Sequence, residues 1–189
     1  MLVSKKKDII ALKKIKIVKH KNFLVISHVM TQPLGQVRWR KFASSFKEID
    51  VCLLAPWIWT SIWLREKVIF SQNNIKDKNF EIRTLKTLKE GNDSYYLFKG
   101  IRGVLKKAKP DIIFMIGVNF AMVQVIIAKL IWAPKAKLVL FSMNAPENKL
   151  KWRRMHIRYP QNFIIDWVKW SFVLNGTDAV ICHYPKLKK

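Results

Sequence analysis

KPDIIFMIGVNFAMVQVIIAKLIWAPKAKLVLFSMNAP, residues Lys109 to Pro146, holds three segments of different pattern. Behind Pro110 and Asp111, Ile112 to Ile116 is a short apolar run that ends in Gly117-Val118-Asn119. Phe120 to Ala133 carries polar residues only at Gln124 and Lys129, which predicts a buried helix stopped by Pro134. Lys137 to Phe141 is a second apolar run. Unbroken hydrophobicity in both runs, without alternation, is what a parallel sheet covered on both faces requires. The stretch therefore reads as a β-α-β unit, with a crossover long enough to return a helix over the sheet.

A membrane span is the competing reading, because Ile112 to Ala128 contains no charge. That run is shorter than the roughly 20 residues a spanning helix needs. Gly117 and Asn119 also fall in its middle, where a strand-to-helix turn wants them and a lipid-facing helix does not.

Working outward, 189 residues suit one domain with a real core, and half of them are hydrophobic, which excludes disorder for the bulk. Lys and Arg number 36 against 12 Asp and Glu, a formal net charge of +24, so the partner or surroundings should be anionic. Cys52 and Cys182 both sit in apolar strand-like runs, which favours buried free thiols over a disulfide or a metal site. Residues 1–21 form a basic N-terminal arm, too densely charged for a secretory signal. It fits either a flexible tail or an interfacial arm drawn to anionic lipid.

From Asn22, FLVISHV predicts a strand with His28 at its end. MTQPLGQ follows as a turn, and Val37 to Ile49 as an amphipathic helix. Val51 to Ala55 is the next strand, closed by Pro56, and the following WIWTSIW sets Trp57, Trp59 and Trp63 close together. Such tryptophans suit core packing, and equally a sugar-stacking or membrane-interface surface. Residues 65–79 read as a loop and Phe80 to Leu85 as a strand. Ser94 is placed as the N-cap of a helix from Tyr95 to Lys107.

After the central unit, LKWRRMHIRYP packs Lys151, Arg153, Arg154 and Arg158 around Trp152 and Met155. This mixture could stack on bases, grip phosphates, sit in a headgroup layer or form a solvated loop. Phe163 to Leu174 predicts a helix capped by Asn175-Gly176, and Asp178 to Cys182 a last strand. The fold class is α/β: a doubly wound, Rossmann-like parallel sheet with helices on both faces, over residues 22–185.

The basic helix after the first turn, the APW strand end, the KPDII strand with its long apolar helix, the KLVLF strand and the helix leading to NGTDAVIC together resemble the N-terminal domain of family 4 glycosyltransferases. The resemblance implies one half of a GT-B fold, in which this half holds the acceptor and a second domain holds the nucleotide-sugar donor. It implies a retaining, metal-independent transferase in cell-surface polysaccharide biosynthesis, with no cofactor beyond the donor as substrate. Residues matching the family's cleft are His28, Gly35, Gln36, Trp57, Asn119, Asn144 and Glu147, with Gly35 expected near a phosphate and His28 and Asn119 near acceptor hydroxyls. No catalytic residue is assigned. Lys151, Trp152, Arg153, Arg154 and Arg158 are candidates for a membrane surface.

Residues 186–189 read as a truncated linker, so the chain is expected to be a half-enzyme whose partner is a separate donor-domain subunit, with a sugar or lipid-linked acceptor; the alternatives are a truncated or split gene product and an inactive remnant. The expected location is cytoplasmic, peripheral at the inner face of the membrane. The rival is a nucleic-acid-binding protein, which the charge favours and the absence of a zinc spacing or RNP-like strand disfavours. A self-contained dinucleotide or methyl-donor enzyme lacks the glycine fingerprint such folds carry.

Overall fold

The computed structural model describes residues 20–31, 33–60, 67–69, 76–88, 96–117, 119–142, 171–173 and 175–182. The described strands are β1 (Lys21–Ile26), β2 (Ile49–Pro56), β3 (Ile58–Thr60), β4 (Lys67–Ile69), β5 (Lys76–Asp77), β6 (Phe80–Leu85), β7 (Thr87–Leu88), β8 (Leu97–Phe98), β9 (Ile112–Ile116), β10 (Lys137–Ser142) and β11 (Ala179–Cys182). The helices are α1 (Pro33–Ser45), α2 (Ile101–Ala108) and α3 (Phe120–Trp132), and a 3-10 turn, His28–Thr31, joins β1 to α1. One seven-stranded sheet runs β11-β10-β9-β1-β2-β6-β5. Every pairing in it is parallel except β5 against β6. This is a mixed α/β fold with a mostly parallel sheet flanked by helices, compatible with a Rossmann-like arrangement.

Successive residues of the central strands serve two cores. Leu24, Ile26, Leu54, Ile113, Met115, Leu138 and Leu140 pack with α2 and α3. Val25, Val51, Leu53, Phe80 and Ile82 pack with Ala43, Trp39 and Phe42 of α1. Because both faces are covered, apolar residues occupy both phases of the pleat, and the runs lose their alternation. Each such side chain, buried completely, contributes about 1.5–3 kcal/mol.

The β9-α3-β10 unit stands as predicted from the sequence. No helix among the described residues is long and apolar enough to cross a membrane. Four boundaries differ. α1 starts at Pro33 and ends at Ser45, not Val37 to Ile49, since Pro33 fits a first helical turn and the Asn79 amide caps its end by donating to the carbonyls of Ala43, Phe46 and Ile49. β1 ends at Ile26, which leaves His28 in the 3-10 turn.

The helix expected from Tyr95 begins only at Ile101, behind Gly100 at φ 85°. Ahead of it, Leu97 and Phe98 pair with β7, and the Gln124 side chain bonds both the N–H and the carbonyl of Phe98 at 2.8 Å. Ser94 lies outside the described residues. Residues 171–173, 175 and 176 are also helical, so Asn175 and Gly176 lie within that segment and do not cap it; a Cβ on Gly176 would stand 2.6 Å from Ile126 Cγ2, a close approach to α3 that glycine permits.

Candidate functional site

Ligands of open parallel sheets bind outside the carboxyl ends of the strands, where the strand order reverses direction. Here that reversal falls between β1, which is followed by β2 on one side, and β9 on the other. Two loops leave the sheet at this point: Ser27-His28 follows β1, and Gly117 and Asn119 follow β9.

The local chemistry fixes both loops. Ser27 is fully buried; its N–H donates to the Leu54 carbonyl at 3.1 Å, and its Oγ accepts from the Val29 N–H at 3.2 Å. The Thr31 hydroxyl donates to the His28 carbonyl at 2.7 Å and closes the 3-10 turn. Gly117 takes φ 87°, a left-handed conformation that costs glycine little, while its N–H donates to the Phe141 carbonyl. Asn119 is the N-cap of α3, its Oδ1 accepting from the Met122 N–H at 3.2 Å.

An aromatic cluster links the loops. The half-buried His28 ring lies 5.2 Å from Trp59 and 6.2 Å from Tyr96, centroid to centroid. Asn119 Nδ2 donates to the Tyr96 hydroxyl at 3.2 Å. Trp59, Tyr96 and Asn119 are buried. The sequence-predicted His28 and Asn119 are thus brought together through Tyr96. Trp57 stands just past β2, half-buried, its N–H donating to the Leu85 carbonyl.

Gly35 and Gln36 lie in the first turn of α1, against the 3-10 turn. A Cβ on Gly35 would stand 2.7 Å from the Val29 carbonyl oxygen, so the glycine permits this contact between backbones. The buried Gln36 donates to the Met30 carbonyl at 2.9 Å. Asn144, Glu147, Lys151, Trp152, Arg153, Arg154 and Arg158 lie outside the described residues.

Sequence reasoning did not single out Tyr96, which it placed inside a helix, or Gln124, whose signal was being a polar residue in an otherwise apolar helix. For Trp59 it left core packing and an exposed surface open, and the structure buries the side chain.

At the opposite end of the sheet, a cleft of about 390 Å³ opens between the starts of β1, β2 and β6 and the end of α2, lined by Asp50, Cys52, Glu81, Arg83 and Lys107 among others. Within it Arg83 donates to both Glu81 carboxylate oxygens, at 2.7 and 2.8 Å, and this pairing raises the guanidinium pKa further. Burial pushes the free Cys52 thiol up to about 12, which removes the thiolate needed for nucleophilic chemistry. In the carboxyl-end cluster Trp59, Tyr96 and Asn119 are buried, which leaves the half-buried rings of His28 and Trp57 as the ones a ligand could meet. Compared with protein-family models and with curated proteins, the chain matches none.

Proposed function

We propose that this chain is the acceptor-binding half of a glycosyltransferase, a doubly wound domain that holds a sugar or lipid-linked acceptor while a nucleotide-sugar donor is held by a separate half. The observation that supports it most is the strand order. Leaving out the antiparallel β5, the parallel strands follow the sequence 3-2-1-4-5-6 of nucleotide-binding α/β sheets, and His28 and Asn119 stand at the reversal.

In this reading the acceptor lies over the carboxyl ends of β1 and β9. His28 and Trp57 contact its ring and hydroxyls, and the Asn119–Tyr96 pair fixes the wall behind them. The transfer breaks the bond between the donor's anomeric carbon and its phosphate and forms one to the acceptor oxygen, whose proton is released.

The test is donor hydrolysis and transfer by the purified chain over a panel of nucleotide sugars, alone and with a candidate donor half. Transfer that needs both proteins and drops at least tenfold in His28→Ala is the expected result. Absence of transfer in every mixture would sink the reading. The net charge of +24 supports nucleic-acid binding as the second reading. A steep salt dependence of RNA or DNA affinity, retained after residues 1–21 are removed, would favour it instead.

A further inference from the structure

A helix on the surface of a globular protein normally turns charge outward. α3 does not. Ala121, Met122, Val125, Ile126, Ala128 and Lys129 face the core, yet the opposite side presents Ile127 at 46 %, Leu130 at 61 % and Ile131 at 60 % exposure. These three share one stripe at helical spacing with the half-buried Val123.

Cations lie on α2, which packs against α3, and just past the end of α3. The Arg102 guanidinium lies 5.8 Å from the centre of the Trp132 ring, next to Ile131. Lys106 is exposed one helical turn further along α2, and Lys135 is exposed just past the end of α3. Neither α2 nor the segment from Phe120 to Lys137 contains an acidic residue.

This combination selects the occupant. A second copy would offer the same cationic elements, with no acidic residue on α2 or from Phe120 to Lys137 to pair with them. An anionic bilayer offers phosphates to the cations and a hydrocarbon boundary to the aliphatic side chains, and a helix lying in that boundary buries such side chains at shallow depth. We propose that the outward stripe of α3, with Arg102 and Lys106 on α2 and Lys135 past its end, is a docking surface for anionic lipid. The inference rests on the lipid-linked acceptor of the function above and not on sugar transfer.

The experiment is flotation of the full chain with phosphatidylcholine vesicles, with and without phosphatidylglycerol, at low and high salt. High salt screens attraction from the basic N-terminal arm and leaves apolar insertion in place. Leu130→Gln with Ile131→Gln should lower partitioning about a hundredfold or more at high salt, since each buried aliphatic side chain is worth about one to two decades. Arg102→Gln with Lys135→Gln should reduce only the phosphatidylglycerol-dependent part, by about fivefold per charge. Leu130→Trp should strengthen binding, which keeps the test decisive if the glutamine variant folds poorly.

Wild-type partitioning in the glutamine variant with no gain in L130W overturns the proposal. So does an apolar stripe that proves to be buried in a dimer or against an acidic protein. Donor turnover on a soluble acceptor without vesicles tests the transfer reading separately.

Discussion

Gly35 and Asp178 show how single residues carry the geometry of this protein. With a Cβ only 2.7 Å from the Val29 carbonyl oxygen, Gly35→Ala forces α1 away from the turn that holds His28. The expected cost is about 1–3 kcal/mol, which for a chain of this size lowers the melting temperature by about 2–4 °C per kcal/mol. A calorimetric scan checks it. Asp178 accepts from the Leu138 N–H at 2.8 Å and from Lys137 Nζ at 2.9 Å, and these bonds hold its carboxyl down at about 2. Because the folded pKa lies below the ordinary value, this stabilisation is complete above about 4 and fades as the pH falls towards 2. Asp178→Asn should therefore be less stable than wild type at neutral pH, with the gap in urea midpoint closing across that acid window. At this scale the sequence was partly legible. Asn119 and Gly117 announced a turn, but the bond from Asn119 to Tyr96 joins residues 23 apart and has no local signature.

Among the elements, β9, α3 and β10 were readable because burial on both faces leaves long apolar runs, and Gly117, Asn119 and Pro134 mark where one element gives way to the next. The start of α2 was not. Propensity allowed a helix from Tyr95, whereas Gln124 supplies Phe98 with both bonds that a neighbouring strand would give. Gln124→Leu keeps the size of that side chain and removes both bonds, leaving two buried backbone groups with fewer partners. The expected loss is about 1–3 kcal/mol, with faster amide exchange at Phe98 than elsewhere in the sheet. Equal protection at Phe98 in variant and wild type would show that the β7–β8 pairing holds without it. The end of α1 was misplaced for a related reason: the Asn79 amide that caps it comes from the turn before β6, more than 30 residues on.

Across the whole molecule, the pattern of the runs gave the layered α/β plan and the β-α-β direction, while the strand order depends on which edges meet and had to come from the structure. β1 is the first strand among the described residues and lies inside the sheet, with β2 on one side and β9 on the other. The link to β9 is sealed by the Asn22 N–H donating to the Asp111 carboxylate, 89 residues later. That placement sets a timetable for synthesis. As the chain leaves the ribosome, β1 can pair with β2 early, but its second edge stays open until β9 emerges. Nascent fragments ending before Ile112 should therefore need chaperone protection, and should pellet when released without it, while chains extended through Ser142 should stay in the supernatant.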